Sequence, residues 1–106
     1  MPAGSTGLAH LVFFALKDPS ADAREALIAA CRKHLPQHEG VVHFSVGVRG
    51  EAYQRPVNDR QFDVALVIVF DSEAAHDRYQ ESAAHKQFIA EQASNWSSVR
   101  VFDAIV

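Results

Sequence analysis

Cysteine is almost missing. Cys31 is the one thiol among 106 residues, which excludes an intrachain disulfide and any cysteine-built zinc site. A lone thiol suits a reducing compartment, so the expected location is cytoplasmic. Lys and Arg form no block: 10 basic and 13 acidic residues are mixed along the chain, for a formal charge of −3. Without a cationic stripe to track phosphates, nucleic acid is not an expected partner. No apolar run approaches the roughly 18 residues that a membrane-spanning helix needs, so no membrane association is expected either. The opening "MPAGSTG" has neither the basic start nor the apolar core of a signal peptide, and residues 1–7 are expected to form a loose tail.

What is present is an ordinary globular composition, 48% hydrophobic and 22% charged, in a chain with room for one domain and one core. That domain is expected over residues 8–106. "LAHLVFFAL", Leu8 to Leu16, is apolar except at His10 and predicts a first strand. Asp18 or Ser20 can cap a helix in which Ala23, Leu27, Ala30, Cys31, His34 and Leu35 share a face, stopped by Pro36. "VVHFSVGVR", from Val41, alternates as a half-polar strand, with Val42, Phe44, Val46 and Val48 pointing one way. "FDVALVIVF", Phe62 to Phe70, reads as a strand apolar on both faces. Ser72 caps a second helical region running to about Trp96 with a break near Ser82-Ala83-Ala84, and a last strand of mixed polarity follows.

Strand, helix, strand, strand, helix, strand is the split βαβ order of an α+β, ferredoxin-like βαββαβ domain. Right-handed crossovers then place the antiparallel four-stranded sheet in the order four, one, three, two. The two doubly apolar strands, the first and third, fall at its centre. Two helices cover only one sheet face, which leaves large side chains of both central strands without a cover. The simplest cover is a second copy related by a two-fold axis, so the expected partner is a homodimer formed through the open sheet face, closing a dimeric α+β barrel.

Residues with chemical potential are few. His10 is the single polar residue of its strand and, if buried, needs hydrogen-bond partners. Tyr79 and His85 lie six apart; on an unbroken helix they would sit roughly 120° off a common face, and a break near Ser82 brings them closer. They are either a chemical pair, His85 as base and Tyr79 as donor to an enolate oxygen, or two boundary residues packed on the sheet. His34 and His38 are separated by Pro36, which removes the i, i+4 geometry of a metal pair, and no metal or cofactor is expected. The stretch from Gly50 to Gln61 is long for a hairpin connection; it is a solvent loop, a cover over a cavity mouth, or a contact with the partner.

The segments "HLVFFALK" (His10 to Lys17), "VIVFDS" (Val67 to Ser72) and "YQESAAHKQF" (Tyr79 to Phe88) resemble the stress-responsive alpha/beta-barrel domain family, often called Dabb. The H-x-x-F ending is its most specific mark, usually preceded by Pro-Ala where this chain has Ala83-Ala84. The resemblance implies a ferredoxin-like protomer pairing into a dimeric barrel. Most members have no established activity, some plant members are linked to stress, and one is a polyketide cyclase that works without a cofactor. The cyclase's catalytic tyrosine and histidine would fall on Tyr79 and His85 and its first-strand histidine on His10, while its third-strand histidine falls on Val64. The resemblance therefore implies His85, Tyr79 and His10 as catalytic residues, with Phe14, Val64, Phe88 and Trp96 walling a pocket for a small hydrophobic carbonyl ligand. A structural or stress-related dimer without chemistry is the alternative. A cofactor-free monooxygenase is a further one, by analogy of fold alone.

Overall fold

A computed structural model describes residues 6–106. Its elements are β1 (Leu8–Leu16), α1 (Ala21–His34), β2 (Val41–Val48), β3 (Val64–Phe70), α2 (Glu73–Glu81), α3 (Ala83–Gln92), a single 3-10 turn (Ala93–Asn95) and β4 (Trp96–Ile105). The sheet order is β2-β3-β1-β4, every neighbour antiparallel, as the crossover rule predicts. Residues 1–5 of the expected tail lie outside the described residues. Gly7 is no tail residue, since it exchanges both backbone hydrogen bonds with Val106 and extends the β1–β4 ladder.

β1 and β3 alternate between fully and half-buried positions along their whole length. Leu8, Val12, Phe14 and Leu16 of β1, with Val64, Leu66, Ile68 and Phe70 of β3, face the helices and meet Leu27, Ile28, Cys31 and Leu35. Cys31 is fully enclosed, and burial pushes its thiol pKa up to about 12, so it packs as an inert apolar group. The opposite face presents Leu11, Phe13, Val67 and Val69 with no helix over them. Phe13 there meets Phe62 and Phe102, at ring distances of 5.1 and 5.7 Å.

Two elements depart from the expected pattern. The β2 register shifts between Val41 and His43, so Val41 packs against the core while Val42 is exposed rather than sharing the face of Phe44 and Val46. This bulge is the extra residue that an alternation rule cannot see. Trp96, expected to end a helix, is the first residue of β4; the 3-10 turn before it unwinds the helix one turn early.

Gly40 sets the approach of β2 to α2. Its φ is +90°, and a Cβ there would stand 2.4 Å from the Ala75 Cβ and 2.8 Å from the Asp71 carboxylate. Only glycine fits both the dihedral and the gap. The segment between β2 and β3 is fastened: Arg49 donates to the carbonyls of Arg60 and Phe62, and Asp59 pairs with Arg100.

Candidate functional site

Ser82 does two jobs at the junction of α2 and α3. It sits in extended conformation, donates from its hydroxyl to the Tyr79 carbonyl at 2.8 Å, and accepts from the His85 backbone N–H at 3.1 Å. One residue thus caps the end of one helix and the start of the next. The change of helix direction brings the rings of Tyr79 and His85 to 4.8 Å in an edge-on arrangement.

Those two rings lie on the wall of a cavity of about 350 Å³ between the helices α2 and α3 and the β1–β4 half of the sheet. His10, Phe14, Phe88 and Trp96 also line it. Six of the seven expected site residues are therefore together. Val64 is not: it is fully buried in the core opposite Phe14 and Val48, and the β3 side chain that reaches the cavity is Leu66, two residues on. The stretch from Gly50 to Gln61 contributes nothing to this wall. His34 and His38, rejected as a metal pair, point elsewhere, His34 to Glu91 at 2.8 Å and His38 to the His34 carbonyl at 3.2 Å.

His10 is buried, and its Nδ1 lies 2.5 Å from the carboxylate of Asp103 on β4, the residue directly opposite it in the ladder. A carboxylate only accepts, so Nδ1 carries the proton and Nε2 the lone pair when the ring is neutral. Burial nevertheless lowers the His10 pKa; the Asp103 bond and charge oppose this, and neighbouring His76 adds to it. His85 is likewise held below the ordinary histidine value, first by burial, then by His10, His38 and His76, against a weak pull from the Gln80 carbonyl. Burial also raises the Tyr79 phenol, which stays protonated at neutral pH. Burial thus favours the neutral forms of the His10 and His85 imidazoles and of the Tyr79 phenol, the forms that a base and a hydrogen-bond donor require.

Asp103 and His76 were not expected. His76 precedes Tyr79 by three positions on α2 and so shares its face; its ring stands 5.1 Å from His10. Asp103 was findable from the antiparallel register, which sets it across from the lone polar residue of β1. The Trp96 indole N–H is buried with no partner among the described residues, a donor left over at the cavity wall.

A ferredoxin-like α+β domain with a histidine- and tyrosine-bearing cavity under its helices is the class that this fold and site define. The sequence pattern of the Stress responsive A/B Barrel Domain matches residues 8–106, and the chain belongs to that family. Among solved structures it is similar to a Dabb family protein with a ferredoxin-like fold from Mesorhizobium loti, at 21% identity, 95% of this chain, 97% of that chain and a TM-score of 0.79. It is also similar to a dimeric ferredoxin-like protein of unknown function from Thermobifida fusca, at 19% identity, 100% and 96% coverage and a TM-score of 0.79. A third is a hydroxynitrile lyase from Passiflora edulis, at 20% identity, 94% and 93% coverage and a TM-score of 0.75. No curated protein sequence matches the chain. Among the described residues, no helix is long and apolar enough to cross a membrane.

Proposed function

We propose that the cavity binds a small hydrophobic carbonyl compound and moves a proton at the carbon next to its carbonyl group. The observation that carries this reading is the meeting of Tyr79 and His85 across the Ser82 break, on the wall of a mostly apolar cavity. His85 takes the C–H proton, and the electron pair passes to the carbonyl oxygen, where the Tyr79 hydroxyl donates to the developing enolate. Return of the proton to carbon completes an exchange, and addition of the enolate to a second carbonyl would make it an aldol step. His10, oriented by Asp103, presents its unprotonated Nε2 to the bound compound. A hydroxynitrile lyase among the similar folds supports acid–base work on small carbonyl-derived compounds in such a cavity.

We also propose that the working protein is a homodimer closed through the open face of Leu11, Phe13, Val67 and Val69, in line with the dimeric state of the similar Thermobifida protein. Neither reading requires a cofactor, and a reducing cytoplasm suits the single thiol.

The test is solvent-deuterium exchange into small aryl and alkyl ketones, followed by proton NMR. The wild type is expected to exchange the α-protons above the buffer rate, and His85→Ala to fall to that rate while remaining folded. Equal exchange by His85→Ala removes the proposed base. No exchange by the wild type across the series leaves a stress-related dimer without chemistry as the better account.

A further inference from the structure

His76, Asp77 and Gln80 have no part in the proton transfer described above, yet His76 stands beside the His10–Asp103 pair and is itself hydrogen-bonded by Asp77 and Gln80. We propose that His10, His76 and Asp103 form a binding site for one divalent transition-metal ion, such as Zn²⁺, on the wall of the cavity.

The three residues come from three elements, β1, α2 and β4, and one donor atom from each lies within 4.8 Å of the other two. Two imidazoles and a carboxylate are a donor set that suits zinc and other first-row divalent ions, and three protein ligands leave further coordination positions open. All three residues line the cavity, so an ion held by them would stand on its wall.

The hydrogen bonds around His76 are those of a metal ligand prepared from behind. Its Nδ1 stands 3.1 Å from the Asp77 carboxylate, which fixes the proton on Nδ1 and the lone pair on Nε2. The Gln80 amide donates to that Nε2 at 3.3 Å, holding the position an ion would take. The rings of His10 and His76 approach to 5.1 Å at a tilt of 57°, which is not a stacking contact. Asp103 sits on the outermost strand with 39% of its side chain exposed, so its carboxylate can turn from the His10 N–H toward an ion.

An ion there would accept an oxygen of the compound in the cavity and polarise it. Tyr79 and His85 are not among the ligands, so their proton transfer stands or falls separately, whereas His10 would give its Nε2 lone pair to the ion instead of to the compound.

The test uses the full-length protein after chelator treatment and dialysis, titrated with Zn²⁺ in a calorimeter and with Co²⁺ by visible absorption. One ion per chain is expected, with His76→Ala and Asp103→Asn both losing at least about tenfold in affinity, and Asp77→Ala weakening it by about 10–100-fold as outer-shell changes do. His34→Ala, which removes the separate pair with Glu91, is expected to bind as the wild type does. Far-UV circular dichroism of each variant separates lost binding from lost fold. No binding by the wild type, unchanged affinity in folded His76→Ala and Asp103→Asn, or loss on His34→Ala would each overturn the proposal.

Discussion

His10 and His85 are displaced in the same direction for the same leading reason: burial disfavours their charged forms. Below the ordinary histidine value of 6.5, the unfolded chain therefore binds more protons than the folded one, and stability rises with pH in that range. Their contribution is complete above pH 6.5 and is lost as pH falls through the folded-state values. Urea midpoints are accordingly expected to hold steady above 6.5 and to drop below it, with a shallower drop in His85→Gln; a flat or opposite trend would remove burial as the cause. Of these residues, His10 announced itself as the one polar position in an apolar strand, and Tyr79 and His85 by their spacing around a break. Asp103 and His76 did not, because each becomes meaningful only opposite a residue distant in sequence. Val64 was placed in the pocket by likeness to a cyclase; it faces the helices as Leu66 does, but it lies two residues earlier along β3, in the core, and only Leu66 reaches the cavity.

At the scale of elements, the α2–α3 junction decides whether there is a site. Continuous helix through Ser82 would carry His85 away from Tyr79, and the hydroxyl that serves both helix ends prevents it. Ser82→Ala is expected to cost about 1 kcal/mol of stability, the usual loss for a removed cap. It should also lower the ketone exchange rate by more than that loss explains. A variant with unchanged exchange and melting would show that the junction is held by packing alone. The break was legible in the Ser-Ala-Ala segment, and the central strands in their double apolarity. The bulge at Val42 and the strand start at Trp96 were not, since one extra residue in β2 and one unwound turn before β4 leave no mark on hydrophobic periodicity.

At the scale of the whole molecule, the helices cover one side of the sheet and the other side is left with Leu11, Phe13, Val67, Val69 and a half-exposed Phe102. Burying each such side chain is worth about 1.5–3 kcal/mol, and several together rival the roughly 5–15 kcal/mol that holds a domain folded. Sedimentation is expected to show a dimer at micromolar concentration, and Val67→Lys, a charge at the centre of that face, a folded monomer or weak dimer. A wild-type monomer would mean that the face tolerates water. The central claim is nonetheless the cavity, and amide NMR of the labelled protein tests it most directly. Titrated with small apolar aldehydes and ketones, the spectrum is predicted to show saturable shifts clustered at His10, Tyr79, His85 and Trp96. Silence at those residues across the series, or shifts gathered on the open sheet face instead, would contradict it.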